Sequence, residues 1–155
     1  MSGKGVLKAV SNVNKLIKPK ILDKSLKGLN WITNEYSTDP NFELTKLIQI
    51  KKEIISDPKN KIIFSDYQIL SSITKNKNIL PNKWLDPLSV PSKENKYFNN
   101  YKNFFIKRLE EQKISTIYVT YDKKTYLNNI FKSNCIKEIK INEIFAKLQI
   151  EKCSK

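Results

Sequence analysis

Two short runs of β-branched and aromatic residues, KIIFS at 61–65 and ISTIYVTY at 114–121, constrain this chain more than any other feature. Both are too continuously apolar for one-sided helices, and both suit buried strands. The segment between them holds helical patterns and a long loop, so it has the length of a crossover and not of a hairpin. The spacing predicts a parallel pair joined by a right-handed crossover, with helices covering the sheet. The expected class is α/β: a small, mostly parallel sheet of about two to four strands flanked by helices in a single layered domain.

The remaining elements follow from local chemistry. Asp39 and Pro40 mark a helix start, as N-cap and first helical residue. Leu44, Leu47, Ile48, Ile54 and Ile55 then recur at helical spacing, interrupted by Lys51, and Asp57-Pro58 stops the run near Ser56. A short helix is expected at 67–74. The loop at 75–91 contains Pro81, Pro87 and Pro91, yet Trp84, Leu85, Leu88 and Val90 make it too apolar for a free linker. Ser92 is expected to cap a helix at 93–112, with Tyr97, Phe98, Tyr101, Phe104, Phe105 and Leu109 along one face. A helix at 124–131, a third strand at 135–141, a last short helix at 142–148 and a returning tail complete the reading. Residues 1–20 read as a basic N-terminal helix or extension, with Val6, Val10, Val13 and Ile17 at helical spacing; residues 21–155 read as one domain.

Composition narrows the function. Lysine and arginine total 29 against 15 acidic residues, a formal charge of +14, which favours anionic partners. Arg108 is the sole arginine, however, and arginine is the usual reader of phosphate forks and guanine edges. A chain rich in Lys, Asn and Ile also reflects AT-rich codons. There is no histidine, which removes the commonest general base and every Ser-His or Cys-His nucleophile system. Two cysteines without histidine do not make a standard zinc site. Glycine is too scarce for a phosphate-binding loop. No catalytic residue, metal site or cofactor is therefore expected. No stretch reaches the roughly 20 apolar residues of a membrane span. Cys135 and Cys153 are read either as two reduced thiols or as a disulfide closing the C-terminal segment, worth about 3 kcal/mol; the compartment decides between them.

Ligands in open α/β sheets bind beyond the carboxyl ends of the strands. Those ends carry Asp66, Tyr67 and Gln68 after the first strand and Tyr121 and Asp122 after the second; with Trp84 they are the candidate ligand-binding residues. Two carboxylates there could hold a sugar hydroxyl or a metal, or act as a base, whereas Asp66 also suits a helix cap.

Four segments, LKGLNWIT at 26–33, KIIFSDYQILSSI at 61–73, PNKWLDPLSVPSKENKYFNNYKNFF at 81–105 and NCIKEIKINEIFAKLQIEKC at 134–153, carry a resemblance. Together they resemble the soluble C-terminal region of multi-pass membrane proteins of the glycosyltransferase-C type, which use polyprenyl-phosphate sugars, from bacteria with AT-rich genomes. The resemblance implies a membrane-associated domain on the extracytoplasmic (periplasmic) face. It would be non-catalytic, because the acidic catalytic residue of that family lies on a membrane-helix loop this chain lacks. Its implied partners are the transmembrane part of a parent glycosyltransferase-like protein, an anionic membrane surface and a lipid-linked sugar. The alternatives from other classes are a small basic nucleic-acid-binding module and a free enzyme using Asp66 and Asp122, which requires the two carboxylates to converge.

Overall fold

The computed structural model describes residues 18–30 and 39–152. The expected basic N-terminal helix, the Trp31 segment and Cys153 lie outside the described residues. The chain divides into two compact units, one ending at Lys51 and one beginning at Lys52.

In the first unit, two short 3-10 turns, Pro19–Ile21 and Lys24–Leu26, precede the start of helix α1, Pro40–Ser56. The Asp23 carboxylate accepts from the Ser25 N–H at 3.0 Å and the Ser25 hydroxyl at 2.8 Å, capping the second turn. Lys51, which broke the apolar pattern of α1, has a local reason: its ammonium bonds the Leu22 carbonyl at 2.9 Å and the Asp23 carboxylate at 2.7 Å. Those bonds hold the Asp23 carboxyl well below the usual carboxylate range. The expected cap of α1 is present, with Asp39 Oδ1 accepting the Phe42 N–H at 3.1 Å.

The second unit is built on strands β1 (Lys61–Phe64), β2 (Thr116–Thr120), β3 (Ile136–Lys140) and β4 (Phe145–Ile150), with helices α2 (Ile69–Ile73), α3 (Phe98–Glu111) and α4 (Tyr121–Ile130). The sheet order is β1-β2-β4-β3. β1 and β2 pair in parallel, with Lys61 opposite Thr116 and Phe64 opposite Val119. β4 runs antiparallel to both β2 and β3, so the α/β expectation holds but the sheet is mixed and not mostly parallel.

The difference comes from residues 142–148, which form no helix. Asn142 Oδ1 accepts the N–H groups of Ile144 and Phe145 at 2.9 and 3.0 Å, and this side-chain turn sends the chain back as a hairpin. Glu143, Ala146, Lys147 and Leu148 have good intrinsic helix propensity. Burial overrides it: as an interior strand β4 buries Phe145 on one face and Ala146 and Leu148 on the other.

Alternation along the strands separates the two faces. One carries Ile62, Phe64, Ile117, Val119, Ala146 and Leu148, packed with Phe105 and Leu109 of α3 and Leu127 and Ile130 of α4. The other carries Ile63, Tyr118, Phe145 and Lys147. There, Asp57 at the end of α1 accepts from the Tyr118 hydroxyl at 2.7 Å and pairs with the Lys147 ammonium at 3.1 Å. Lys147 also reaches Glu53 at 3.1 Å and lies 5.4 Å from the Tyr118 ring centre.

α3 begins five residues later than expected. Asn95 Oδ1 accepts the Tyr97 N–H at 2.9 Å and the Asn95 N–H bonds the Ser92 carbonyl at 3.0 Å, so 92–97 turn before the helix can start. The aromatic face also divides: Phe98, Phe105 and Leu109 are buried, whereas Tyr97 and Phe104 are exposed.

The proline-containing loop packs on the unit as expected through Leu85 and Val90, although Trp84 and Leu88 stay exposed. It also closes the free edge of β1. The Asn78 side chain accepts the Ile63 N–H at 2.7 Å and donates to the Ile63 carbonyl at 2.9 Å, and the Asn76 amide donates to the Lys61 carbonyl at 3.2 Å. Two asparagine side chains thus do what a neighbouring strand would do. Asn78→Ala is expected to strip Ile63 of both partners and cost about 2 kcal/mol. Urea unfolding should show the loss, and the Ile63 amide should exchange with solvent faster than those of β2. Unchanged exchange at Ile63 would reject this closure. The opposite edge, β3, is marked by Lys137, Glu138 and Lys140, charges that discourage strand addition.

Candidate functional site

A shallow, solvent-open recess lies at the carboxyl ends of the parallel strands. Phe64 at the end of β1 and Ser65 and Asp66 just beyond it line the recess, with Lys83, Trp84 and Leu85 from the loop and Lys123 from the first turn of α4. Strand ends are also where the sequence places the candidate residues.

Lys123 organises it. Its ammonium lies 3.3 Å from an Asp66 oxygen and 3.6 Å from an Asp122 oxygen, so one cation joins the two strand-end carboxylates. Its own side chain is mostly buried while both acids are exposed. Burial works against the Lys123 charge, but hydrogen bonding and attraction from Asp66, followed by Asp122, outweigh it and raise the ammonium's pKa. Lys123 is therefore a fixed cation at neutral pH and not a nucleophilic amine. The carboxylates do converge, as a free enzyme would need, but they converge on a cation.

Asp86 shapes the loop side of the recess. It accepts the N–H groups of Leu88 and Ser89 at 2.9 and 2.8 Å, which closes the turn behind Trp84 and Leu85. Hydrogen bonds from Ser89, and beyond them the nearby charge of Lys123, hold the Asp86 carboxyl below its ordinary range.

Of the residues expected at the site, the structure brings together Asp66, Trp84 and, through Lys123, Asp122. It turns the others elsewhere. The Tyr67 ring packs against Phe145 with centroids 5.8 Å apart. The Gln68 amide donates to the Ser65 carbonyl at 3.1 Å. Tyr121 lies under Lys124, whose ammonium is 5.4 Å from the ring centre and pairs with Glu138 at 2.7 Å. Burial, then the charge of Glu138, raises the Tyr121 pKa. Asp66 does not cap α2, whose N-cap is Gln68 with no side-chain bond.

Sequence reasoning missed Lys123. Its one available signal was position: a lysine directly after the strand-end Asp122, in the first turn of a helix, where a cation is out of place unless a carboxylate answers it. Among the described residues no group of acids and cysteines is arranged to hold a metal ion, and no helix is long and apolar enough to cross a membrane.

The chain is an α/β protein with a shallow, solvent-open recess at its strand ends. No protein-family model, curated protein or solved structure matches the chain.

Proposed function

We propose that this chain is a non-catalytic, ligand-handling domain of a membrane glycosyltransferase-like protein, standing on the extracytoplasmic face and assisting the handling of a lipid-linked sugar or its acceptor. One observation carries the reading: Lys123 binds Asp66 and Asp122 into a single ion-paired rim beside the half-exposed indole of Trp84. Alternating acceptors and a fixed donor suit vicinal hydroxyls, and an indole face suits the apolar face of a sugar ring. The same pairing sets both carboxylates beside a cation and leaves them exposed, an arrangement that suits accepting from hydroxyls more than dividing acid and base roles. The nucleic-acid alternative finds less support. Arg108 is the sole arginine and its Nη1 donates to Glu111 at 2.9 Å, whereas arginine is the usual reader of phosphate forks and guanine edges. A Cys135–Cys153 disulfide belongs to the same proposal. It is supported by the Glu151 N–H bonding the Cys135 carbonyl at 2.8 Å, which brings the chain two residues before Cys153 alongside Cys135.

The test is a titration of the isotope-labelled chain with a water-soluble, short-chain polyprenyl-phosphate hexose, followed by amide and indole NMR shifts. Shifts confined to Ser65, Asp66, Trp84 and Lys123 are expected, with Trp84→Ala weakening binding about tenfold or more. No shifts at millimolar ligand, or shifts that ignore Trp84→Ala, would sink the reading.

A further inference from the structure

Four large apolar side chains of the second unit stand in solvent: Leu88 is 98% exposed, Tyr97 58%, Phe104 50% and Trp84 44%. The loop and the helix that carry them are joined by hydrogen bonds. Tyr97, Tyr101 and Phe104 follow the i, i+4, i+7 spacing of one stripe along α3. In the middle of that stripe the Tyr101 hydroxyl takes a hydrogen bond from the Asn82 amide at 3.2 Å, and the same amide donates to the Ser89 carbonyl at 3.2 Å. These bonds clamp the loop tip carrying Leu88 against the helix stripe, with Trp84 two residues from Asn82.

Lysines frame the patch. The Lys83 ammonium lies 5.2 Å from the Trp84 ring centre and that of Lys96 4.8 Å from the Tyr97 ring centre. Lys93 is exposed in the same segment, as is one acid, Glu94. Of the other acids near it, Asp86 is engaged by the N–H groups of its own turn, and Asp66 and Asp122 are paired with Lys123.

We propose that this surface docks the domain on an anionic lipid bilayer. Leu88 and the rings of Trp84, Tyr97 and Phe104 would sit at the headgroup boundary, and Lys83, Lys93 and Lys96 would reach the lipid phosphates. Three features favour a bilayer. Tyrosine and tryptophan rings settle at the membrane interface because one end is apolar and the other polar. A fully exposed leucine on a loop tip has nothing to stack on in a nucleic acid, but it gains by leaving water for acyl chain. A chain of net charge +14, nearly all of it lysine, is drawn to an acidic leaflet over distances longer than any contact. The recess is lined by the same Lys83 and Trp84, so it opens beside the docking surface, at the depth where the headgroup of a lipid-linked sugar would be presented. The inference rests on the membrane setting proposed above; its surface shares Lys83 and Trp84 with the recess, whereas Leu88, Tyr97 and Phe104 lie outside it.

The experiment is flotation of the full chain with vesicles of pure phosphatidylcholine and with vesicles that also contain phosphatidylglycerol. Flotation is expected with the anionic vesicles, falling as salt rises. Leu88→Asp with Phe104→Ser should lower it about tenfold or more while circular dichroism is unchanged; Leu88→Asp alone serves if the double variant does not fold. Three results overturn the proposal. The first is no flotation of the unaltered chain, and the second is equal flotation of the variant, which would place binding elsewhere on the chain. The third is a variant-sensitive surface that binds a single-stranded oligonucleotide and ignores vesicles. Neither substituted residue lines the recess, so lipid-free sugar shifts should survive in the variant, and the two readings fail separately.

Discussion

Replacing Asp57 by alanine is expected to lower the free energy of unfolding by about 3 kcal/mol, because the change leaves two partners stranded. Asp57 is buried, and its carboxylate accepts the Lys59 N–H at 3.0 Å, the Tyr118 hydroxyl at 2.7 Å and the Lys147 ammonium at 3.1 Å. Tyr118 is wholly buried, so its hydroxyl has no water to turn to. Lys147 would keep only Glu53, at 3.1 Å, from its two anionic partners. Tyr118→Phe removes a donor and leaves the carboxylate two other partners, so about 1 kcal/mol is expected. Urea unfolding of both variants and of their combination checks this. In the double variant the costs should add to less than their sum, because the shared bond is lost only once. An Asp57→Ala loss no larger than that of Tyr118→Phe would mean that the buried cation finds water after all.

The same cluster sets a pH window. Burial pushes the Asp57 carboxyl up, but the bonds from Lys59, Tyr118 and Lys147 outweigh it and hold its pKa below the ordinary value of 3.8. A lowered acid stabilises the fold above its unfolded pKa, and that contribution is lost as pH falls through the folded one. Burial first, then the Asp57 hydrogen bond, raises the Tyr118 pKa above 10.0. Burial opposes the Lys147 charge, yet Asp57 and Glu53 together raise it above 10.5. Raised groups stabilise below their unfolded pKa and lose that contribution as pH climbs through the folded one. The cluster therefore contributes fully between the ordinary carboxylate and tyrosine ranges. Against that profile, Asp57→Ala should flatten the acid limb of a stability–pH curve. An acid limb as steep as in the unaltered chain would assign it to other carboxylates.

None of this cluster was legible as a cluster. Asp57 reads as a helix stop before Pro58, Tyr118 as one more ring in a strand, and Lys147 as one lysine in a sequence full of them. Only the register, which sets Tyr118 opposite Lys147 on β2 and β4, brings them together. That register depends on β4, whose composition favours a helix until Phe145, Ala146 and Leu148 find cover on both faces of the sheet. What local chemistry fully specifies was readable: the Asp39 cap, the β1 and β2 runs and their parallel pairing. The recess lies at the strand ends, where such sheets leave an opening, and Asp66 and Trp84 are part of its lining. Lys123 was hidden because its role depends on two carboxylates that meet only after folding. Asn78 was hidden for a similar reason, since an asparagine in a loop says nothing of the strand edge it closes.

Phe105→Ala is expected to cost about 4 kcal/mol, and Phe104→Ala, one residue away, less than about 0.5 kcal/mol. Phe105 is wholly buried, with its ring 5.8 Å from that of Phe64 and 6.1 Å from that of Tyr101. Removing it opens a cavity between α3 and the sheet that the surrounding strands, paired on both sides of β2, have little freedom to fill. Phe105→Leu keeps most of the volume and should cost about 1 kcal/mol. Phe104 faces solvent, so its truncation removes little that the fold uses. Chemical unfolding of the three variants separates the two positions. Similar losses at 104 and 105 would mean that α3 is rotated about its axis from the arrangement described, and the exposed stripe would go with it. The expected asymmetry has the opposite consequence. A phenylalanine that contributes almost nothing to stability, aligned with Tyr97 on the same helix stripe, leaves apolar surface in water at a cost in solubility. Its use then has to be sought in what that surface touches.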